Sequence, residues 1–346
     1  MDTVIPSVFG KGDGNMLKKI CIITIIALFS FIFGACQILA DDEYMTMEAN
    51  LPSNQIHTNE TFFDLSIQPE MSQVLEVTLV NNKDADVELE GEITNAWTTM
   101  NGEIDYSPTK YPLDVSLQNP LSTILELNEK EISLPAKTTK KITANLKIPK
   151  DIKKGIILGG IQYREKKNKN DIANKTQVDN ISALIKGVKL NYDIAPEPNI
   201  IINKAGVTRY KRIPVITINV QNTEASIINN MILKTEVKKA GSSEILQSDE
   251  SSKIAMAPNS NADLPIYWKK NNIDPGNYVV DVTVKIGDKD WKKQLSFTVD
   301  QKTSDDTTNV VNPPDYSIFL YIIFNIALVI LVYFLIKNRR NKENRK

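Results

Sequence analysis

The chain has 346 residues, of which 42% are hydrophobic and 24% are charged, and its formal net charge at pH 7 is −1. This balance excludes the broad basic surface by which proteins bind nucleic acid. Its two cysteines, Cys21 and Cys36, both fall in the N-terminal segment, so the rest of the chain is expected to fold without disulfides or a conventional zinc site.

The N-terminal segment is typical of a secretory signal peptide. Two lysines precede the apolar run 20–35, and cleavage after Ala40 would leave an acidic new N-terminus. We predict residues 1–40 as the signal peptide and Met16 as the true start. Lipidation of Cys36 is the alternative, although a lipid anchor would be redundant beside the membrane-spanning helix predicted below.

Short segments that alternate apolar and polar residues, separated by turn residues, fill the chain from Ala40 to Tyr316, and no long amphipathic helix is predicted there. A first set of predicted strands ends at a charged, asparagine-rich break, Arg164–Lys175. It comprises Thr61–Ile67, Leu75–Leu79, Val87–Ile93, Glu131–Leu134, Ile142–Ile148 and Ile156–Tyr163. A second set comprises Val188–Ile194, Pro214–Val220, Met231–Val237, Leu264–Trp268, Tyr278–Ile286 and Leu295–Val299.

The two sets resemble each other. Leu75–Ala85 lines up with Val215–Ala225, and Leu134–Thr139 parallels Met256–Ser260. Because the separation is more than about 100 residues, this pattern indicates a duplicated domain and not a solenoid. We predict an all-β fold of two tandem immunoglobulin-like β-sandwiches.

The predicted domain boundaries are residues 41–165 and 166–300, followed by a stalk at 301–315. The uncharged run Tyr316–Ile336, whose polar side chains include Asn325, is long enough to cross a membrane as one helix. The tail 337–346 is rich in lysine and arginine, and the positive-inside rule places it in the cytoplasm and the sandwiches outside the cell.

The irregular segment Asn95–Asn119 is the predicted binding region of the first domain. Aromatic rings stack on the apolar faces of sugars, and amides and carboxylates bind their hydroxyl groups. The alternative for Trp97 is that it fills the core of the sandwich. The candidate glycan contacts are Asn95, Trp97, Asn101, Asp105, Tyr106 and Tyr111.

Catalytic, metal and cofactor sites are not predicted. His57 is the only histidine and is expected to be a solvated surface residue, and no serine lies in a Gly-x-Ser-x-Gly elbow. The pairs in Asp84–Asp86 and Asp288–Asp290 are expected to be turn residues, because neither extends to a complete calcium loop. Gly159-Gly160 opens no helix and is not a phosphate-binding loop.

The chain resembles the WxL-interacting protein family of Gram-positive bacteria over almost its whole length. The shared order is a signal peptide, two β domains, one helix and a basic tail. The segments that carry the resemblance are Leu51–Gln55, Phe63–Leu65, Val80–Asn82, Gly102–Tyr106, Leu158–Ile161, Tyr192–Ala195, Gln221–Asn222, Met256–Ser260 and Pro275–Tyr278. The resemblance implies that the first domain binds peptidoglycan. It implies that the second binds host extracellular-matrix proteins, and that both act with secreted WxL-domain proteins.

The predicted function is therefore a non-enzymatic, single-pass surface scaffold or adhesin. Its expected partners are peptidoglycan, WxL-domain proteins, host extracellular-matrix proteins and the membrane, with no nucleic acid and no cofactor. One alternative is a receptor that senses the state of the cell wall and signals through a cytoplasmic partner. The other is a wall hydrolase or protease, for which no nucleophile or acid pair is apparent.

Overall fold

The computed structural model describes residues 44–166, 183–210, 213–269 and 273–308, together with Phe324. The predicted signal peptide, the basic tail and the predicted membrane span other than Phe324 lie outside these residues. Within the described residues, no helix is both long and apolar enough to cross a membrane.

The first part of the chain forms two sheets packed face to face, called here the first sandwich. One sheet has the order β1 (Met45–Asn50), β3 (Ser72–Asn81), β9 (Thr139–Lys147), β7 (Leu125–Leu127). The other has the order β2 (Phe63–Ser66), β11 (Ala183–Tyr192), β10 (Gly155–Glu165), β4 (Val87–Asn95), β8 (Glu131–Leu134). A two-stranded hairpin, β5 (Trp97–Thr98) and β6 (Ile104–Asp105), and a short helix, α1 (Leu121–Ile124), follow β4.

The second sandwich follows. Its three-stranded sheet has the order β12 (Ile200–Tyr210), β13 (Ile213–Asn222), β16 (Ser260–Tyr267), and its four-stranded sheet the order β15 (Ile245–Met256), β14 (Ile228–Lys239), β17 (Gly276–Ile286), β18 (Lys289–Val299). A helix, α2 (Gln301–Thr308), comes next. The inward positions of each sandwich form a separate apolar core, so the predicted all-β fold is confirmed.

The strand at 183–192 occupies a different place from the one predicted. The sequence pattern put it at the start of the second set, but it pairs antiparallel with β10 and parallel with β2. Val188 and Leu190 are fully buried in the first core, which explains why the strand belongs there. Ile194, predicted to continue the strand, is 84% exposed beyond its end.

Two buried asparagines confirm the internal repeat and correct its register. Asn81 donates from Nδ2 to the carbonyls of Ala85 and Leu134 at 2.9 and 3.0 Å. Asn222 donates in the same way to the carbonyls of Ser226 and Ala257, at 2.8 and 3.0 Å. The alignment made from the sequence places Asn81 opposite position 221, one residue before its structural equivalent, Asn222. The buried face decides the register, because a shift of one residue turns every side chain to the opposite face.

Candidate ligand-binding cleft

The hairpin β5–β6 leaves the first sandwich and covers the side of the second sandwich where β15 and β16 lie together. At its turn, the Gly102 carbonyl accepts a hydrogen bond from the Ala255 N–H at 2.7 Å. Gly102 has φ 71°, and a Cβ there would lie 2.6 Å from Ile254, so the turn needs glycine. At its base, Thr98 Oγ1 accepts from the Ala257 N–H at 3.0 Å. The hairpin therefore joins the two sandwiches.

A small apolar cluster lies beside the hairpin. Its buried members are Ala96, Leu158 and Ala257, and its half-buried members include Ile104, Tyr106, Ile156 and Ile227. Nearby, the Ile156 N–H donates to the Ala225 carbonyl at 2.7 Å. Gly155 has φ 122°, and a Cβ there would lie 2.4 Å from the same carbonyl oxygen. The two backbones thus approach each other at a point where a side chain does not fit.

The loop that follows the hairpin and the outer face of the sheet β12–β13–β16 enclose a cleft of about 450 Å³, called here the inter-domain cleft. This volume is in the range of roughly 300–1,000 Å³ that is usual for small-ligand sites. Its first wall comes from residues between Ala96 and Leu117, and its second from the three strands of the sheet.

Two aromatic rings form the centre of the first wall. The rings of Trp97 and Tyr111 have centroids 5.9 Å apart and are inclined by 49°. Trp97 is half-buried, and its Nε1 donates to the Ser107 carbonyl at 3.0 Å, which fixes its ring. Tyr111 is 67% exposed, and the exposed apolar residues Leu113 and Val115 follow it on the same wall. This wall therefore offers an apolar surface with polar edges.

A row of polar side chains forms the second wall. Asn203 donates from Nδ2 to Asn219 Oδ1 at 2.9 Å, and Asn219 donates to Asp263 Oδ1 at 2.7 Å. The next pair along the sheet is Gln221 and Asn261, which lie opposite each other on β13 and β16. These five side chains, four amides and the carboxylate of Asp263, are called here the amide row and span all three strands. Amides both donate and accept hydrogen bonds and the carboxylate accepts them, so the row can bind hydroxyl groups.

Asp114 connects the two walls. It belongs to the loop of the first sandwich, yet it accepts from Gln221 Nε2 at 2.8 Å and from Asn261 Nδ2 at 2.5 Å. Burial would raise the pKa of Asp114, but hydrogen bonds from Asn261, Ser116 and Gln221 outweigh it and hold the pKa below its ordinary value. The carboxylate is therefore charged at neutral pH and acts as an acceptor.

The cleft contains two of the six predicted glycan contacts, Trp97 and Tyr111. Trp97 lies outside the core of the first sandwich, so the alternative that it fills that core is wrong. Asp105 accepts from the Ser107 N–H at 2.6 Å in a tight turn. Tyr106 packs in the small apolar cluster, where burial raises the pKa of its hydroxyl. These last two residues line a separate groove beside the first sandwich.

The other two predicted contacts stabilise the structure around the cleft. Asn95 donates to Ser122 Oγ at 2.9 Å and accepts from the Ser122 N–H at 3.1 Å, which holds α1 against β4. Asn101 accepts from the Tyr210 hydroxyl at 2.6 Å, so it links the hairpin to β12.

Sequence reasoning missed the amide row and Asp114. A weak signal was present, because Asn219 and Gln221 alternate with buried residues on β13, and Asn261 and Asp263 do so on β16. Polar residues at outward positions of a strand are ordinary, however, and the pairing of β13 with β16 was not known from the sequence.

The single histidine belongs to a separate network of polar side chains around the buried carboxylate of Asp64. His57 Nδ1 lies 2.6 Å from Asp64 Oδ2. The other oxygen, Asp64 Oδ1, lies 3.2 Å from Lys189 Nζ and accepts a hydrogen bond from Asn191 Nδ2 at 2.8 Å. His57 is 60% exposed, as predicted, but Asp64 is only 2% exposed. The network joins β2 to β11. Across the described ranges, no group of three or more His, Cys, Asp or Glu side chains could hold a metal ion.

Solved structures of low similarity include two that contain chaperones. The Escherichia coli chaperone DraB has 12% identity and a TM-score of 0.29, with 74% of this chain and 98% of that chain covered. The CsuC–CsuE chaperone–tip adhesion subunit complex of Acinetobacter baumannii has 8% identity and a TM-score of 0.30, with 66% and 94% covered. At these TM-scores the likenesses carry no argument about fold or function. No curated protein matches the chain.

Two family profiles match consecutive parts of the chain. Residues 45–165 match the peptidoglycan-binding domain of WxL-interacting proteins, and residues 173–309 match the host-binding domain of the same proteins. Both descriptions are of binding domains, and their order is the one that the resemblance in sequence implied. The chain therefore belongs to the WxL-interacting protein family.

Proposed function

We propose that this protein is a non-enzymatic cell-surface scaffold that binds the glycan of peptidoglycan in the inter-domain cleft. The observation that carries the proposal is the pair of rings, Trp97 and Tyr111, which stands opposite the amide row. A saccharide site needs aromatic rings that stack on the apolar faces of the sugar and amides that form hydrogen bonds with its hydroxyl groups. The family description of residues 45–165 names the same ligand.

The protein partner is proposed to bind the second sandwich, which carries the host-binding description. We propose a WxL-domain protein or a host extracellular-matrix protein, which could pair with an exposed edge strand. The hairpin β5–β6 covers the side with β15 and β16, and on the opposite side β12 and β18 lie against each other. Lys293 of β18 donates to the Ile202 carbonyl of β12 at 2.7 Å, so part of the β12 edge is already occupied. Because Lys289 and Lys292 disfavour the addition of a strand to β18, we propose pairing with the part of β12 that this contact leaves open.

Location at the cell membrane is part of the same proposal, carried by the composition of residues 316–346. Retention of the full chain in membranes after an alkaline wash would support it, and release into the soluble fraction would contradict it. The immunoglobulin-like class and the boundaries of the binding domains at 165 and 300 also stay predictions, although the first sandwich as a packed unit extends beyond 165 to β11.

The test of glycan binding uses the purified full chain and its Tyr111→Ala variant in sedimentation with purified peptidoglycan. Tyr111 is 67% exposed and its ring lies against Trp97 in the cleft wall, so the variant should fold normally and bind about tenfold more weakly. The matched control is Tyr44→Ala, which removes a 52% exposed ring just before β1, at a residue that does not line the cleft. Equal binding by all three proteins would refute the proposal. A parallel arm with a wall-protein extract tests whether the protein retains a partner.

A further inference from the structure

The second wall of the cleft belongs entirely to the second sandwich, which no family description connects with glycan. We propose that the saccharide site is composite: the amide row of the second sandwich binds the hydroxyl and N-acetyl groups of an uncharged sugar whose apolar face stacks on the first wall. This inference rests on the proposed function and adds the chemical class of the ligand and the second half of its site.

The geometry of the amide row supports a role beyond holding the sheet together. Asn203 and Asn219 are half-exposed or exposed, and both line the cleft. Their hydrogen bonds run along the sheet surface, from Asn203 to Asn219 and from Asn219 to Asp263, so each amide keeps capacity for a further partner in the cleft. Side-chain bonds between exposed amides add little to stability, because water satisfies the same groups.

The two walls are held at a fixed separation. Asp114 receives hydrogen bonds from Gln221 and Asn261 across the base of the cleft. Thr98 and Ser260, one from each sandwich, have hydroxyl oxygens 2.7 Å apart and are both buried. A ligand that enters the cleft therefore meets both walls without the cost of ordering them first.

The charge of the lining selects the class of ligand. Among the described residues that line the cleft, two have negative side chains, Asp114 and Asp263, and one has a positive side chain, Lys204. A phosphate- or carboxylate-bearing polymer would bring like charges next to these acids, whereas uncharged hydroxyl and N-acetyl groups use them as acceptors. The lining thus favours the neutral sugar backbone of a glycan over anionic wall polymers.

The test measures binding of the purified full chain by calorimetry. The probes are an uncharged oligomer of N-acetylglucosamine and a hyaluronan oligomer of the same length, in which the same sugar alternates with a carboxylate-bearing sugar. The key variant is Asn203→Ala with Asn219→Ala, since neither side chain is hydrogen-bonded to the first sandwich. The matched control is Asn128→Ala with Asn145→Ala, an exposed cross-strand amide pair at 2.5 Å on the first sandwich.

We expect the uncharged oligomer to bind wild type and control equally, and the Asn203/Asn219 variant to bind about tenfold more weakly. Hyaluronan should bind at least about tenfold more weakly than the uncharged oligomer to wild type. Thermal melting should show the same transition in all three proteins, which separates lost contacts from lost structure.

Each contrary result has its own meaning. If Tyr111→Ala weakens peptidoglycan binding while the Asn203/Asn219 variant binds the oligomer like wild type, the site is confined to the first sandwich and the composite site is refuted. If hyaluronan binds as tightly as the uncharged oligomer, or if wild type binds peptidoglycan but not the oligomer, the proposed ligand class is wrong. If wild type binds neither peptidoglycan nor the oligomer, the proposed function fails as well.

Discussion

Asp64 shows how one buried charge connects distant parts of the chain. Its carboxylate is almost completely buried, which would raise its pKa, but hydrogen bonds from His57, Asn191 and Lys189 and the positive charge of Lys189 outweigh burial and lower the pKa. A carboxyl group whose pKa is lower in the folded protein stabilises it at pH values above the unfolded pKa, about 3.9. That stability is lost as the pH falls through the lower, folded pKa.

Replacement of Asp64 by asparagine should lower the free energy of unfolding by about 2 kcal/mol at pH 7, because the half-buried Lys189 partner loses its counter-charge. The variant should also lose less stability than wild type as the pH drops below about 4. Urea unfolding at several pH values measures both effects. The control is Asp84→Asn, which removes an exposed ion pair with Lys137 and should cost less than about 0.5 kcal/mol. Equal losses in the two variants would contradict the expectation.

Residues that line the candidate cleft were predictable from the sequence only where one short segment contains the whole signal. Trp97 and Tyr111 stand out in the sequence because aromatic residues are clustered in an irregular stretch. The amide row was not predictable, because Asn203, Asn219 and Asn261 come from three segments that only the sheet brings together. Asn101 and Asp105 have the right chemistry, but their side chains are used in a hairpin contact and a turn.

At the scale of elements, β11 completes the first sandwich from beyond the predicted boundary. It is the strand between β2 and β10, and β2 has no other strand partner among the described residues apart from a single bridge at Gln55. A fragment that stops at residue 165 would therefore leave β2 and one side of β10 without a neighbour. Burial of Val188 and Leu190 would be lost with the strand.

We expect the fragment 41–165 to be unfolded or aggregated, and the fragment 41–195, which includes β11, to unfold cooperatively. Circular dichroism during heating, with size-exclusion chromatography, distinguishes the two. As a control within 41–195, Leu190→Ala should lower stability by about 3 kcal/mol, whereas Ile185→Ala, at an exposed position of the same strand, should have a small effect. Cooperative melting of 41–165 at the temperature of the longer fragment would disprove the role of β11.

Sequence patterns found most of the strands that bury one face, but they missed the short strands β1 and β7 and the more polar or irregular strands β12 and β15. β15 is largely exposed and polar, so its period of two does not stand out, and no strand was predicted there. β12 was missed because its register shifts between Ile202 and Ala205, which interrupts the alternation. The hairpin β5–β6 has strands of only two residues, and contacts with the second sandwich, not its own pattern, hold it in place.

At the scale of the whole molecule, the two sandwiches meet through backbone contacts that tolerate no side chain at Gly155. Domains of one chain usually move relative to each other unless their interface is well packed. Here the hairpin, the small apolar cluster and the contact between Ile156 and Ala225 all lie at the interface. We therefore expect the two sandwiches to unfold together.

The variant Gly155→Ala should make the two sandwiches unfold separately. The new Cβ would clash with the Ala225 carbonyl, so we expect a loss of about 2–3 kcal/mol and two resolved transitions in scanning calorimetry where wild type has one. Gly241→Ala is the control, because Gly241 also has a positive φ, 79°, but has no atom within 4 Å of the added Cβ. It should show the cost of backbone strain alone, about 1 kcal/mol, with a single transition. Two transitions already present in wild type would count against the coupling.

The chain passes from one sandwich to the other through residues 193–199, and the hairpin crosses the same gap in a second place. A single connection would act as a hinge and allow the two sandwiches to rotate relative to each other, whereas two connections at separate points restrict that rotation. A force applied to one sandwich is then transmitted to the other without first extending a flexible linker. We therefore expect the two sandwiches to behave as one rigid unit, in which a load on either sandwich leaves the cleft between them intact.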